Sequence, residues 1–135
     1  MKPEQLISQA IEATKHCYVP YSKFKVGAAI LTKDGKVIHG ANIENSSYGL
    51  SICAERTALF NAYLQGYQKA DLLAMAVIGP TKGPISPCGA CRQVISELMN
   101  EDTPIYLSNL KHVVQETSPI GLLPFAFSKK DLNTK

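Results

Sequence analysis

The sequence predicts a three-layer α/β/α sandwich around a mixed sheet of about five strands. Segments of helical and strand character follow one another in the order α-β-β-α-β-α-β-β, with helices expected on both faces of the sheet. Strand-helix-strand units favour parallel neighbours and right-handed crossovers, while a strong turn at Asp34-Gly35 indicates a hairpin. At 135 residues the chain is predicted to form one domain over 1–135, long enough to bury a hydrophobic core.

The first half of the chain predicts a helix, the hairpin and a second helix. A proline at the start and an apolar stripe of helical spacing predict an amphipathic helix over residues 4–18. Residues 24–32 and 36–43 are rich in apolar and β-branched side chains and form the two strands of the hairpin. Residues 53–65 are mostly strong helix formers and stop before Gly66, a suitable C-terminal cap.

The second half alternates between strand and helix. Residues 72–78 form a short continuous apolar run, which is typical of a strand buried on both faces. After a loop rich in glycine and proline, residues 88–99 predict a third helix, and residues 104–110 and 113–117 predict two short strands. An apolar tail follows, in which we assign Phe127 to the core.

Composition excludes several classes of function. A net charge of +3 is mild and the lysines are scattered, so we expect no nucleic-acid partner. No apolar run approaches the roughly 20 residues of a membrane helix, so we expect a soluble protein without a membrane partner. The opening residues lack the apolar stretch of a signal peptide, and we therefore expect a cytoplasmic protein. In that reducing compartment, cysteines favour metal binding or catalysis over disulfides.

The four cysteines carry the strongest chemical signal. Cys88 and Cys91 are close enough on one helix for both thiols to bind one ion. Because thioredoxin-like redox proteins share this spacing, the pair alone does not decide between metal and redox chemistry. A second motif, Cys53-Ala-Glu55, opens another predicted helix, and redox chemistry leaves it unexplained. Two helix starts that converge favour a metal site.

Residues two apart in a regular helix point roughly 200° apart, so Cys53 and Glu55 need special placement to share a site. We predict that Cys53 lies at the helix cap, while Glu55 faces the metal from the first turn. Zinc ligands Cys53, Cys88 and Cys91 leave the fourth tetrahedral position for water, whose pKa zinc lowers to about 7. Glu55, which is not a ligand, is then the candidate general acid and base.

The predicted site needs positive charge nearby. Zinc with three thiolates has one net negative charge, which the N-termini of both helices offset in part. We predict that Arg56 hydrogen-bonds the thiolates, whereas Arg92 either does the same or is solvated. Two alternatives are a closed zinc site with Cys17 as fourth ligand, and Glu55 as an ordinary acidic residue at a helix start. Otherwise Cys17 is predicted to be a small buried hydrophobe on the first helix.

Four separated motifs read YSKFKVGAA at 21–29, NIEN at 42–45, CAERTA at 53–58 and SPCGACRQV at 86–94. Together they resemble the motifs of the short, homotetrameric cytidine deaminases. The three-cysteine set is similar to the tetrameric branch of the family rather than to the longer dimeric branch, which has a histidine ligand. The resemblance extends over nearly the whole chain and implies the α/β/α fold of the family.

The resemblance also implies the residues that bind substrate: Phe24, Asn42, Glu44, Tyr48, Ala54 and Phe125. Phe24 is expected to stack near the base, Asn42 and Glu44 to hold the ribose 3′-hydroxyl, and Tyr48 and Phe125 to reach in from neighbouring subunits. Asn42 and Glu44 are two apart at a strand end, so their side chains point the same way. A carboxylate at the 3′-hydroxyl would repel a 3′-phosphate, which fits a free nucleoside rather than a polynucleotide.

The activity that the resemblance implies is hydrolytic deamination of free cytidine and 2′-deoxycytidine to uridine and 2′-deoxyuridine, with release of ammonia. This reaction belongs to pyrimidine salvage and uses one Zn²⁺ per subunit and no organic cofactor. Three alternatives stay open on the residues alone. They are a related deaminase of another aminopyrimidine or a nucleoside antibiotic, a dithiol redox protein, and a zinc scaffold without catalysis.

Overall fold

A computed structural model describes residues 1–132, and residues 133–135, at the end of the predicted domain, lie outside the described residues. The strands are β1 (Gly27–Thr32), β2 (Val37–Ala41), β3 (Leu72–Gly79), β4 (Ile105–Asn109) and β5 (Gln115–Thr117). They form one sheet in the order β2-β1-β3-β4-β5, where β3 and β4 are parallel and the other neighbouring pairs antiparallel. This mixed five-stranded sheet confirms the predicted fold class.

The helices are α1 (Pro3–Ala13), α2 (Ala54–Leu64), α3 (Gly89–Leu98), α4 (Pro119–Leu122) and α5 (Lys129–Leu132). Successive residues of a strand point to opposite faces of the sheet, so the core has two halves. One half joins α1 to the sheet through Leu6, Ile7, Ala10, Ala29, Ala76 and Ile78. The other joins α2 and α3 to the sheet through Ala58, Leu59, Ile95, Ala28, Ile30, Met75 and Val77. The molecule therefore has the three predicted layers.

Several predicted element boundaries hold because they depend on local signals. α2 ends at Leu64, and Gly66 just beyond it has the left-handed φ of 98° expected of a glycine cap. β3 lies in the middle of the sheet and is buried except at Leu73, as its continuous apolar run predicts. Short 3₁₀ turns at Thr14–His16, Tyr48–Leu50 and Lys69–Asp71 were not predicted.

The prediction of a first helix over 4–18 is wrong at its C-terminal end. α1 stops at Ala13, and Cys17 has extended backbone with a ψ of 141°. Tyr18 N–H donates to Asn42 O at 3.0 Å, and Glu44 N–H donates to Tyr18 O at 2.8 Å. These two hydrogen bonds with the chain beyond β2 satisfy the backbone N–H and C=O of Tyr18, which a longer helix would have paired within itself. Cys17 is accordingly half-buried in a loop rather than buried on a helix.

Within residues 1–132, no helix combines the length and the apolar character that crossing a membrane requires. The apolar tail forms α4 and α5 with a loop between them, and part of it packs on the core through Leu122. Phe127 in that loop is 60 % exposed, so its assignment to the core is wrong. The loop lies between two short helices that the sequence did not signal.

Candidate active site

The N-termini of α2 and α3 converge on one point. Cys53 precedes α2 as its N-cap, with extended φ and ψ of −80° and 158°, as the spacing to Glu55 predicts. Cys88 is the N-cap of α3 and accepts a hydrogen bond from the backbone N–H of Cys91. The sulfur atoms of Cys53 and Cys88 are 3.8 Å apart, and all three sulfurs lie within 4.8 Å of one another.

The three thiols fit a zinc ion. Three sulfurs this close can each approach a common centre at about 2.3 Å, the usual Zn–S distance. The positive ends of two helices point at them, which stabilises thiolates and helps to balance their charge. Cys17 is outside this group, because its thiol donates to Asn42 Oδ1 at 3.0 Å and to Val26 O at 3.2 Å. The closed four-cysteine alternative therefore fails, and a fourth position is available to a non-protein ligand.

Hydrogen bonds between the thiols shift the pKa values of Cys53 and Cys91 in opposite directions. The hydrogen bond from Cys91 lowers the pKa of Cys53 to about 5, and hydrogen bonds from Arg56 and Cys88 add to this effect. The same interaction, together with burial, raises the pKa of Cys91 well above its ordinary value. A divalent cation among the sulfurs would favour loss of the thiol protons.

Glu55 lies in the first turn of α2 and is 4 % exposed. Desolvation by burial raises the pKa of its carboxyl to about 7, and the neighbouring Cys53 thiolate acts in the same direction. A group with a pKa near the working pH can both accept and donate a proton, which is the property of an efficient general acid and base. Burial therefore gives this glutamate a character that an ordinary surface residue at a helix start does not have.

The two arginines near the cysteines have different partners. Arg56 Nη2 donates to Cys53 Sγ at 3.4 Å, and hydrogen bonds to Cys53 and Cys91 raise the pKa of the guanidinium. Its Nε is buried and has no hydrogen-bond partner within the described chain. Arg92 donates instead to Pro87 O and Ser86 Oγ. The alternative that Arg92 hydrogen-bonds the thiolates is therefore wrong. Of these two arginines, Arg56 is the one whose guanidinium contacts the sulfur cluster.

A pocket of about 430 Å³ opens beside the cysteines. Its volume is in the range typical of sites for small ligands. It is lined by Phe24, Asn42, Glu44, Cys53, Glu55 and Cys88 among the predicted site residues, and by Ser22, Val26, Ser51, Ile52, Ile85 and Ser86. Cys91 and Ala54, at the starts of α3 and α2, are fully buried and do not line the pocket. Fold and sequence thus bring six predicted residues to one cavity.

Asn42 and Glu44 also support the loop that carries Phe24. Asn42 Nδ2 donates to Phe24 O at 2.8 Å, while its Oδ1 accepts from Val26 N–H at 3.0 Å and from the Cys17 thiol. An amide has two N–H donors, so Asn42 has one left for a ligand. Glu44 Oε1 accepts from the backbone N–H groups of Tyr21 and Ser22, each at 3.1 Å.

Ser22 adds a side-chain hydrogen bond to Glu44, and this bond is the main cause of the lowered pKa of Glu44. The carboxylate is therefore ionised at neutral pH. Ser22 Oγ also accepts from Phe24 N–H at 3.0 Å, so one hydroxyl joins the carboxylate to the aromatic residue. Ser22 is a pocket residue that our sequence reasoning missed, although it lies inside the motif at 21–29. Ser86 was missed in the same way.

Tyr48 and Phe125 lie outside this pocket. Tyr48 is 74 % exposed and makes an edge-to-face contact with Tyr21, with ring centroids 5.9 Å apart. Phe125 is fully exposed and has a left-handed backbone with a φ of 57°. Neither side chain reaches the cysteines of its own chain, so their roles in substrate binding stay predictions that require a neighbouring subunit.

Comparison with known proteins identifies close relatives. A family model described as the cytidine and deoxycytidylate deaminase zinc-binding region matches residues 1–107, which include Glu55 and the three clustered cysteines. A cytidine deaminase of Halalkalibacterium halodurans is 56 % identical over 133 residues, covering 98 % of this chain and 99 % of the relative. One from Sporosarcina psychrophila is 53 % identical, covering 98 % and 96 %. The crystal structure of cytidine deaminase from Burkholderia pseudomallei matches with a TM-score of 0.91 and 54 % identity, over 94 % of this chain and 100 % of that one.

Proposed function

Because the chain belongs to the family of zinc-binding cytidine and deoxycytidylate deaminases, we propose that it hydrolyses free cytidine and 2′-deoxycytidine to the corresponding uridines and ammonia. The observation that carries this proposal is a cluster of three thiols beside a buried carboxyl at a pocket of about 430 Å³. Three protein ligands leave a coordination position for the reacting water, which a closed structural site would not do.

Cys53, Cys88 and Cys91 hold the zinc ion in this proposal. Zinc held there would supply Lewis acidity, which makes water a better nucleophile at neutral pH. Arg56 donates to Cys53 and would reduce the negative charge on the sulfur ligands.

Glu55 moves the protons. Its carboxylate accepts a proton from the attacking water and delivers it to N3 of the pyrimidine as the C4–O bond forms. It then takes the remaining proton from the new C4 hydroxyl and donates it to the amino group on C4, so that the C4 carbonyl forms as the C4–N bond breaks and ammonia leaves. Each step requires the opposite protonation state of the same carboxyl.

The rest of the pocket selects a free nucleoside. Phe24 offers its ring to the base, Asn42 offers its remaining N–H, and the ionised Glu44 accepts from the ribose 3′-hydroxyl. A phosphate at the 3′ position would face this carboxylate, so a polynucleotide is a poor substrate. Apolar Val26, Ile52 and Ile85 exclude water around the base.

We also propose a homotetramer with pockets shared between subunits, acting in the cytoplasm. Exposure of Tyr48 and Phe125 away from their own pocket supports this assembly, because large exposed aromatic residues are enriched at protein interfaces. An isolated subunit should then bind nucleoside poorly, and activity should follow assembly. Full activity in a sample shown to be monomeric by sedimentation would contradict the shared pocket.

The deciding experiment measures ammonia release and zinc content together. Purified protein with zinc receives cytidine, deoxycytidine, cytidine monophosphate and adenosine in parallel, and we expect turnover of the first two. Bound zinc without turnover would favour another aminopyrimidine substrate or a scaffold. A reversible disulfide between Cys88 and Cys91 in place of bound zinc would favour redox chemistry.

The variant Glu55→Gln tests the proton transfer. It keeps the size of the side chain but cannot ionise, so we expect zinc content to be unchanged and turnover to fall by roughly 10²- to 10⁴-fold. Glu116→Gln on the exposed strand β5 removes the same charge away from the site and should keep its activity. A Glu55→Gln enzyme with half of the normal activity would refute the assignment.

A further inference from the structure

Two consecutive residues of α3 hold the loop that presents Phe125. Arg92 Nη1 donates to Leu122 O at 2.8 Å, and Gln93 Nε2 donates to Phe127 O at 2.9 Å. These carbonyls lie on either side of Phe125, so both ends of the segment 122–127 are hydrogen-bonded to one helix. That helix begins at the metal-binding cysteines, directly after Cys88.

The same arginine also holds the loop before the metal site. Arg92 Nε donates to Pro87 O at 2.9 Å, and its Nη2 donates to Ser86 Oγ at 2.7 Å. One planar guanidinium therefore connects three groups from two chain segments, which its fixed donor geometry permits and a lysine ammonium does not reproduce. The position of the segment 122–127 is thereby tied to the loop that ends at Cys88.

Phe125 has an unusual conformation for an aromatic residue. Its φ of 57° lies in the left-handed region, and its side chain is fully exposed. Such a conformation costs on the order of 1 kcal/mol or more and persists when the surrounding contacts impose it. Contacts of its own side chain do not explain it, whereas the hydrogen bonds at Leu122 and Phe127 fix the chain on both sides.

Exposed apolar side chains surround Phe125. Ile120 is 50 % exposed and Phe127 is 60 % exposed, and both border a groove of about 510 Å³ together with Phe125. Exposed apolar side chains grouped in one groove are typical of a surface that another protein covers. The groove includes Phe125, the residue that the proposed function places in a neighbouring subunit.

We propose that Arg92 and Gln93 are positioning residues, which hold the segment 122–127 so that Phe125 docks into the nucleoside pocket of a second copy of this chain. The inference rests on the proposed function, because that function places Phe125 at a neighbour's substrate. What is new is that α3, the helix that starts at the metal site, sets the docking position of Phe125. Substrate affinity in one subunit then depends on hydrogen bonds in another.

A double-mutant cycle tests the inference. Gln93→Met keeps the length of the side chain but removes the donor, and Gln115→Met on exposed β5 is the matched control. Because one hydrogen bond contributes modestly, we expect Gln93→Met to raise the KM for cytidine about fivefold, with kcat and zinc content within about twofold of wild type. In a Phe125→Ala background, Gln93→Met should alter KM by less than about twofold, because the aromatic ring that Gln93 positions is gone.

An equal change of KM in both backgrounds would overturn the inference, as would a loss of zinc in Gln93→Met. Arg92→Lys provides a second variant that keeps the charge, and it should raise KM more than Gln93→Met because it loses several hydrogen bonds. If Arg92→Lys does not fold, the double-mutant cycle of Gln93→Met and Phe125→Ala tests the inference by itself.

Sedimentation separates this inference from the proposed function. Wild-type protein that releases no ammonia from cytidine would refute the proposed function. Docking would then be tested by self-association, which Gln93→Met and Phe125→Ala should each weaken about fivefold or more and without adding to each other. Association equal to that of wild type in both variants would refute docking.

Discussion

At Gly40 the sheet comes very close to α2, the helix that carries Glu55. This glycine lies in β2, and a Cβ at this position would be 2.4 Å from both Ala54 O and Ala58 N, and 2.6 Å from Ala58 Cβ. These are atoms of α2, and two of them belong to its backbone. A rotamer change cannot move backbone atoms, so Gly40→Ala requires the whole first half of the helix to shift.

The size of the shift follows from these distances. Ordinary van der Waals contact begins at 3.4 Å, so α2 must move by about 1 Å. Overpacking of a core costs about 1–3 kcal/mol, and we expect about 3 kcal/mol less free energy of unfolding because the obstacle is backbone. Cys53 and Glu55 move with α2, and a displacement of about 1 Å at a catalytic group lowers turnover by roughly 100-fold.

Urea denaturation and cytidine turnover measure the two effects on the same samples. Gly83→Ala is the matched control, because a Cβ there has no neighbour within 4 Å. It should keep both stability and turnover. The close packing of α2 on β2 would be refuted if Gly40→Ala had normal turnover and a free energy of unfolding within about 0.5 kcal/mol of wild type.

Three further predictions concern single side chains. Arg56→Gln removes the donor to the sulfur cluster, so turnover per bound zinc should fall about 10- to 100-fold, and undiminished turnover would contradict its role. Cys17→Val removes the thiol donor to Asn42 Oδ1; KM for cytidine should rise about twofold to fivefold at constant kcat, and an unchanged KM would mean that the other hydrogen bonds of Asn42 suffice. Burial lowers the pKa of His39, so the unfolded chain binds the proton more readily and stability should fall as pH drops below about 6.5. Thermal unfolding from pH 8 to pH 5 checks this, because His39→Gln should flatten the profile.

The main elements of the fold were predictable because their signals are local. A turn at Asp34-Gly35, a glycine after α2 and an unbroken apolar run at β3 each act over a few residues. The C-terminal end of α1 was not predictable in this way. Its apolar pattern continues to Tyr18, but pairing with Asn42 and Glu44 removes Tyr18 from the helix. A tertiary hydrogen bond outweighs helix propensity, which is a weak preference.

The sequence by itself determined the chemistry of the site. The clustering of Cys53, Cys88 and Cys91 and the placement of Cys53 at a helix cap, with Glu55 in the first turn, follow from the spacing and helix geometry. Only the tertiary structure decided which groups surround that chemistry. In that structure Arg92 donates a hydrogen bond to Leu122 O, and the Phe125 side chain is exposed. Both features depend on how distant segments of the chain pack, not on neighbours in the sequence.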